Sequence, residues 1–337
     1  MNQLGFSTVL QFRRCGKSPA IIYLTKHTAL CQCHNMDDIL APRFTDPVAA
    51  RQHLEAIQWP NGPYCPHCGS FTVTRLEGKS HRDGLIQCND CREQFTVTVG
   101  TVFERSKVPL NKWLLCNHLL VSSKKGMSAH QIHRMLGVTY KTAWFMCHRI
   151  RLAMQPSNPE PMGGPGKVIE ADEAFVGGFK KKRLSGKVAP KKKVLTLVER
   201  GGPARSFHIT DVNHTNIRAA LVTVAHRSSH LRTDDARFYN NIGKEFASHE
   251  TTLHSNREFS RGDGNHSNTA ENFFSILKRG VIGTYHHWSE THIHRYLAEF
   301  DFRYSTKDIS DRERADQALK GIVGKRLTYR RTDKLAA

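Results

Sequence analysis

The alternation of apolar and polar positions divides the chain into helical and extended segments. Residues 37–58 predict a short amphipathic helix with a capped start at Asp46. Residues 109–154 predict a helical region, and 168–176 predict the first strand of an α/β part. Residues 155–167 are rich in proline and glycine, so they predict a linker between these parts.

The elements after the linker indicate a fold class. Three strands are followed by a helix, a strand, a helix, a strand and a long helix that begins near Ser267. This alternation favours a mixed sheet covered by helices, and the order suits a ribonuclease-H-like α/β domain.

The cysteine spacing predicts a structural zinc site. Four of the nine cysteines form two CxxC pairs separated by 19 residues. Two such turns complete a tetrahedral sulfur shell that suits one Zn²⁺, and four thiolates leave no open position for catalysis. Strand-like segments at 71–76 and 95–99 place the pairs in a zinc ribbon. Redox-active CxxC motifs are the alternative, but a redox centre needs only one pair. The predicted ligands are Cys65, Cys68, Cys88 and Cys91.

A helix-turn-helix pattern lies in the helical region. Residues 128–136 predict one helix, 137–139 a turn that contains a glycine, and 140–151 a basic second helix. An ordinary helical hairpin is the alternative interpretation. As a recognition helix, the second one would place its first residues near base edges. The candidate DNA contacts are Tyr140, Lys141, Thr142 and Arg149.

These observations predict a multidomain protein, a zinc ribbon (β) and a helix-turn-helix (α) followed by a ribonuclease-H-like α/β catalytic domain. The predicted divisions are a basic extension at 1–36, a short helix and zinc ribbon at 37–102, the helix-turn-helix region at 103–154, the linker at 155–167, and the catalytic domain at 168–330.

The charge of the chain favours a nucleic-acid partner. It has 50 Lys and Arg against 30 Asp and Glu, a formal net charge of +20. Such an excess favours binding to a polyanion. No apolar run approaches the length of about 18 residues that spans a bilayer, so we expect no membrane segment.

Two stretches without acidic residues contribute to this charge. Residues 1–36 resemble a transit peptide in composition, although an unstructured extension is the favoured interpretation. The stretch 180–193 carries eight Lys or Arg, and either contacts DNA phosphates or is a solvated charge run. Its first candidate contacts are Lys180, Lys181 and Lys182.

Three acidic residues have a placement that predicts a metal site. Asp172 lies within an apolar strand, Asp234 ends another strand, and Glu271 lies on the long helix. The first and fourth strands are neighbours in the predicted fold, and this helix packs beside them, so the three carboxylates converge. Such carboxylates repel one another unless cations neutralise them. We therefore expect two catalytic Mg²⁺ ions, with Mn²⁺ as a substitute.

Neighbouring acids compete for these roles. Glu170 and Glu173 flank Asp172, and Asp235 follows Asp234. Strand alternation puts Glu170 on the face of Asp172 and Glu173 on the opposite face.

Helix phase favours Glu271 as the third acid. Glu271 and Lys278 are seven residues apart, so they share a face at the edge of the apolar stripe. Asn272 and Arg279 point further toward solvent. Lys278 would then face the same cleft and bind substrate phosphate.

Five motifs resemble those of a known family. They are 170–178 (EADEAFVGG), 233–234 (TD), 266–280 (HSNTAENFFSILKRG), 283–287 (GTYHH) and 295–304 (RYLAEFDFRY). With these motifs the chain resembles the bacterial insertion-sequence transposases of the ISXO2-like (IS1595) family, within the DDE transposases. The family also carries an N-terminal zinc ribbon, and the resemblance covers about 40–330.

The resemblance implies DNA transposition. It implies that Asp172, Asp234 and Glu271 are the metal-binding triad and that Lys278 is the accompanying basic residue. Some subgroups have asparagine in the third place, so Asn268 and Asn272 remain competitors. Two further residues, His286 and His287, are candidates for contact with the transposon end and equally for a structural role.

We therefore expect an enzyme that recognises terminal inverted repeats and transfers DNA strands to a target. It would act as a homo-oligomer in a synaptic complex, in the cytoplasm at the bacterial nucleoid. The DNA-contacting set includes Lys278 and Arg279 beside the helix-turn-helix. A non-catalytic DNA-binding regulator and a ribonuclease-H-like nuclease are the alternatives.

Overall fold

The structure is a computed structural model, and it describes residues 39–177, 191–252 and 268–328. The extension 1–36 and the predicted contacts Lys180, Lys181 and Lys182 lie outside these ranges. No helix within them is long and apolar enough to cross a membrane.

The N-terminal half combines a small three-stranded sheet with helices. The elements are α1 (Pro42–Thr45), α2 (Pro47–Gln58), β1 (Val73–Arg75), β2 (Ile86–Cys88), β3 (Gln94–Phe95), α3 (Leu110–Ser122), α4 (Ala129–Leu136) and α5 (Tyr140–Met154). The three strands pair in chain order and are antiparallel. The predicted strand at 95–99 is shorter than expected, since only its first residue belongs to β3.

Side-chain caps define the helices of the predicted helix-turn-helix. Ser128 accepts a hydrogen bond from the amide of Gln131 at the start of α4, and Thr139 accepts one from the amide of Thr142 at the start of α5. Gly137 ends α4 in the left-handed conformation, with φ 60°. The predicted order of helix, three-residue turn and helix is confirmed.

The second half contains a five-stranded mixed sheet. The elements are β4 (Val168–Val176), β5 (Lys192–Glu199), β6 (Ala204–Ile209), α6 (His214–Val224), β7 (His230–Asp234), α7 (Tyr239–Gly243), β8 (Ser248–Thr252), α8 (Asn268–Gly280), α9 (Ile293–Ser305) and α10 (Asp311–Lys320). The strand order is β6-β5-β4-β7-β8. The first two pairings are antiparallel, and the last two are parallel. The mixed sheet covered by helices is confirmed.

Alternation along β4 supplies a core on each face of this sheet. Ile169 and Ala171 pack in a cluster with residues of α6 and α7. Ala174 and Val176 point the other way and pack with residues of α8 and α9. Helices therefore cover both faces, and the central strand is buried between them.

The helix α10 returns to the N-terminal half. Its residues Ala315, Ala318 and Leu319 belong to the core formed by α3 and α5. The side chain of Asn117 on α3 donates a hydrogen bond to the carbonyl oxygen of Ala315 at 2.9 Å. The predicted catalytic segment 168–330 therefore contains a helix whose apolar face is buried elsewhere.

Charged side chains join α5 to α9. Glu299 is fully buried, and its Oε2 accepts a hydrogen bond from Arg151 Nε at 2.6 Å. Its Oε1 accepts from Arg303 and, at 2.6 Å, from the Tyr285 hydroxyl. Burial alone would raise the pKa of Glu299, but the charges of Arg303 and Arg151 outweigh burial and hold the pKa below its ordinary value.

Candidate active site

The four predicted zinc ligands lie together. Their sulfur atoms are all within 4.8 Å of one another. Cys65 and Cys91 have sulfurs 3.6 Å apart, and Cys68 and Cys88 have sulfurs 3.5 Å apart. A tetrahedral zinc with Zn–S bonds of about 2.3 Å separates its sulfurs by about 3.8 Å. The donors fit that geometry, which supports a structural zinc.

The sequence around the first pair explains this closeness. Gly69 has φ +78°, which favours glycine, and its amide donates to the carbonyl oxygen of Cys65 at 2.8 Å. Cys65 and Cys88 are buried against Ile86 and Phe95. The ribbon therefore has a very small apolar core, and its shape depends on the sulfur cluster.

A gap between two parallel strands forms the acidic cleft. Pairing of β4 with β7 ends at Glu170 and Arg232. Beyond that point Asp172 and Glu173 of β4 face Asp234 at the end of β7. One carboxylate oxygen of each of these three acids lies within 4.8 Å of the others.

Glu173 belongs to this group, although strand alternation predicted that it lies on the face of β4 opposite Asp172. Tyr239 of α7 is fully buried, and its hydroxyl donates a hydrogen bond to Glu173. Burial raises the pKa of Glu173 to about 7; the bond from Tyr239 opposes this, and the charges of Asp234 and Asp172 add to it. Because β7 leaves the edge of β4 open here, a side chain from the far face reaches the cleft.

The third predicted acid enters from α8. Glu271 and Lys278 line the same open cleft of about 540 Å³ as Asp172 and Glu173. Among the described residues, Glu271 lies outside the group of three whose oxygens are within 4.8 Å. Arg279 also lines the cleft, although helix phase predicted that it points further toward solvent.

Glu170 holds the start of α8 beside this cleft. Its buried Oε2 accepts hydrogen bonds from the amides of Thr269 and Ala270 at 2.9 and 3.0 Å. Its Oε1 accepts one from Arg200 at 2.6 Å. A carboxylate at a helix N-terminus stabilises the helix, so Glu170 positions Glu271 and is not itself a wall of the cleft.

The competing asparagines lie on the other side of α8. Asn268 and Asn272 line a separate cavity between α8, α9 and the end of α3. The histidines His286 and His287 are exposed beyond α8.

The predicted DNA contacts of α5 have different exposures. Tyr140 is 41% exposed and stacks on His130 at 4.2 Å between ring centroids, and Lys141 is exposed. Thr142 is half-buried at the helix cap.

The prediction that Arg149 contacts DNA needs correction. Arg149 is buried, and it donates hydrogen bonds to the carbonyl oxygens of Glu104 at 3.1 Å and Leu327 at 3.2 Å. The second half of α5 packs inside the protein, so this guanidinium is not presented to DNA.

Comparisons with known proteins cover both halves of the chain. Residues 46–94 match the family model of a transposase zinc-ribbon domain, of the IS1595 type, and residues 163–305 match that of an ISXO2-like transposase domain. The chain is also 29% identical over 287 residues to an uncharacterized protein in transposable element ISH50 of Halobacterium salinarum. That alignment covers 80% of this chain and 93% of the relative.

Proposed function

Because the chain belongs to the ISXO2-like transposase family and carries its IS1595-type zinc ribbon, we propose that it is a DNA transposase that cleaves and transfers the ends of its insertion sequence. The observation that carries this proposal is the convergence of Asp172, Glu173 and Asp234 beside Glu271, inside the matched domain. The strand order, with three antiparallel strands followed by two parallel ones, supports a ribonuclease-H-like fold for that domain.

The cleft suits hard divalent cations. Carboxylate oxygens are the ligands that Mg²⁺ and Mn²⁺ prefer. Asp172, Asp234 and Glu271 would hold the metal, and Glu173 is placed to add a further oxygen. Two divalent ions held by these acids would activate the attacking water or 3′-hydroxyl and would stabilise the leaving oxygen.

Basic residues of this chain would position the DNA strand. Lys278 and Arg279 stand on the cleft wall formed by α8, where they neutralise phosphates next to the acids. Tyr140 and Lys141, both exposed on the first turn of α5, would read the terminal inverted repeat. Binding through phosphates falls steeply with salt concentration. Synapsis of two ends and a target requires more than one copy of the chain, and the expected place of action is the nucleoid.

Substitution of the acids tests this function. Asp172→Asn and Glu271→Gln should keep binding to labelled transposon-end DNA and lose Mg²⁺-dependent cleavage. Asp235→Asn is the matched control, because Asp235 is exposed beside Asp234 and does not belong to the group of acids whose oxygens lie within 4.8 Å of one another. Cleavage that persists in both acid variants contradicts the metal assignment. Wild-type protein that binds ends but never cuts with Mg²⁺ or Mn²⁺ would instead be a DNA-binding regulator.

A further inference from the structure

The helix α8 separates two hollows of the molecule. Glu271, Ser275 and Lys278 face the acidic cleft. Asn272 and Phe273 lie on the other side of the helix and face the separate cavity of about 620 Å³, which is the larger of the two. This volume falls within the range of about 300–1,000 Å³ that is typical of small-ligand sites.

The cavity is electropositive. Lys124, Arg303, Lys307 and Arg314 line it, and none of the described residues in its wall is acidic. Arg314 is paired with Asp311. Lys124 and Lys307 are exposed, and neither forms an ion pair within the part of the chain that the structure describes. The wall therefore carries positive charge that an anionic ligand would compensate.

Arg303 offers a second, independent sign of a missing partner. Its side chain is 7% exposed, and it bonds to Glu299 and to the carbonyl oxygen of Leu120. Its Nε and Nη2 atoms are buried without a hydrogen-bond acceptor among the described residues. Buried donors are normally satisfied, so these two atoms indicate that the guanidinium lacks an acceptor, and Arg303 is part of the cavity wall.

The remaining wall suits a planar ring. Phe273 and Tyr304 contact each other edge to face, with ring centroids 5.5 Å apart. The Lys307 ammonium lies 4.3 Å from the centre of the Tyr304 ring. Asn272 adds an exposed side-chain amide, which both donates and accepts hydrogen bonds. Together these groups match a nucleotide. The cations suit its phosphate, the aromatic surface suits the face of its base, and the amide suits the edge of the base.

We propose that this cavity binds one unpaired nucleotide of a DNA strand while the neighbouring phosphodiester is processed in the acidic cleft. A cavity of this size admits a single nucleotide and excludes a duplex, so the nucleotide must leave the base stack. Lys124, Lys307 and Arg303 bind its phosphate, and Tyr304 carries its base. The inference rests on the proposed function, since that function supplies the DNA strand.

Fluorescence anisotropy with the full-length chain tests the site. The probes are a short fluorescein-labelled single strand and the duplex of the same sequence. Lys307→Gln, Lys124→Gln and Tyr304→Leu should each weaken single-strand binding about fivefold or more. Duplex binding should change no more than in Lys320→Gln, a control that removes another exposed lysine, from α10. Thermal melting verifies that each variant folds.

Several outcomes would overturn the inference. Single-strand affinity that is unchanged in the two lysine variants contradicts it, and so does an equal loss in Lys320→Gln. Deoxyadenosine monophosphate serves as a competitor. If it displaces the strand at a lower nucleotide concentration than unlabelled strand does, the cavity holds free nucleotide and the assignment to DNA is wrong.

A cleavage assay on the same preparations separates this inference from the proposed function. If the wild-type protein cleaves transposon ends but the cavity variants keep full single-strand affinity, only the inference about the cavity is overturned. Cavity-dependent single-strand binding without any cleavage by the wild type overturns the transposase function and leaves the nucleotide site standing.

Discussion

Arg151 of α5 and Glu299 of α9 form an ion pair in the interior, with 2.6 Å between Nε and Oε2. The two side chains are 2% and 0% exposed. This contact joins the second helix of the helix-turn-helix to the domain that holds the acidic cleft. The helix α5 and the cleft are therefore parts of one packed body at this point.

Removing one charge of this pair should destabilise the whole protein. We expect Glu299→Gln to lower the free energy of unfolding by about 3–5 kcal/mol, because two arginines are left buried without a counter-charge. Urea unfolding measures the change. Glu245→Gln is the matched control, since Glu245 also binds two arginines, Arg218 and Arg227, but at the surface. Equal losses in the two variants would show that burial of the pair is irrelevant.

The buried hydroxyl beside the acids should affect metal binding. We expect Tyr239→Phe to weaken Mn²⁺ binding and DNA cleavage about 10- to 100-fold, as for other residues that orient metal ligands. The ring and its packing are kept, and only the bond to Glu173 is lost. Calorimetric titration with Mn²⁺ gives a readout that is independent of cleavage. Tyr64→Phe in the zinc ribbon is the control, and unchanged Mn²⁺ affinity in Tyr239→Phe would contradict the role of Glu173.

The zinc ribbon should lose its metal when one thiolate is replaced. We expect Cys88→Ser to reduce the zinc content from about one per chain toward zero, since three thiolates and a hydroxyl bind Zn²⁺ far less strongly. Elemental analysis measures the content. Cys116→Ser is the control, because Cys116 is a buried cysteine of the helical core outside the sulfur cluster. Full zinc content in Cys88→Ser would disprove the ligand set.

A carboxyl between α9 and β6 should make stability depend on pH. Burial raises the pKa of Asp301 to about 7, although hydrogen bonds from Ser206 oppose the shift. In the unfolded chain an aspartate has a pKa of about 3.9. The folded state thus holds the proton more tightly, and the stability this provides is lost as pH rises through about 7.

The variant Asp301→Asn has no ionisable carboxyl at this position, so its stability lacks this dependence on pH. We therefore expect the melting temperature of wild-type protein, relative to Asp301→Asn, to fall between pH 4 and pH 8. Thermal melts across this range measure the difference. A difference that stays constant with pH, or that rises, would contradict the raised pKa.

Local sequence patterns predicted much of the fold. The caps at Ser128 and Thr139 lie next to the helices they begin, and Gly137 marks the turn between them. The spacing of the cysteines within and between the two CxxC pairs is an equally local signal, and so is the order of strands and helices in the second half. These features depend on residues that are close together in the chain, so a single sequence is enough to predict them.

The errors arose where distant segments meet. Alternation correctly puts Glu173 on the face opposite Asp172, but it did not predict that Glu173 joins the acidic group, which it does because β7 leaves the edge of β4 open. Arg149 was predicted as a DNA contact, and the sequence did not reveal its burial because its partners, the carbonyl oxygens of Glu104 and Leu327, lie far away in sequence. The Glu170 contact with the start of α8 spans about one hundred residues, and no periodicity reports such a contact.

The position of α10 has a consequence for how the protein is made. The ribosome completes α3 and α5 long before it reaches residues 311–320, yet Ala318 and Leu319 fill the core between those helices. A nascent chain that has emerged only as far as the acidic cleft therefore still exposes an apolar groove on α3. Folding of α3 and α5 is therefore complete only after α10 has been synthesised, so chains whose translation stops before α10 should be substrates for chaperones and proteases.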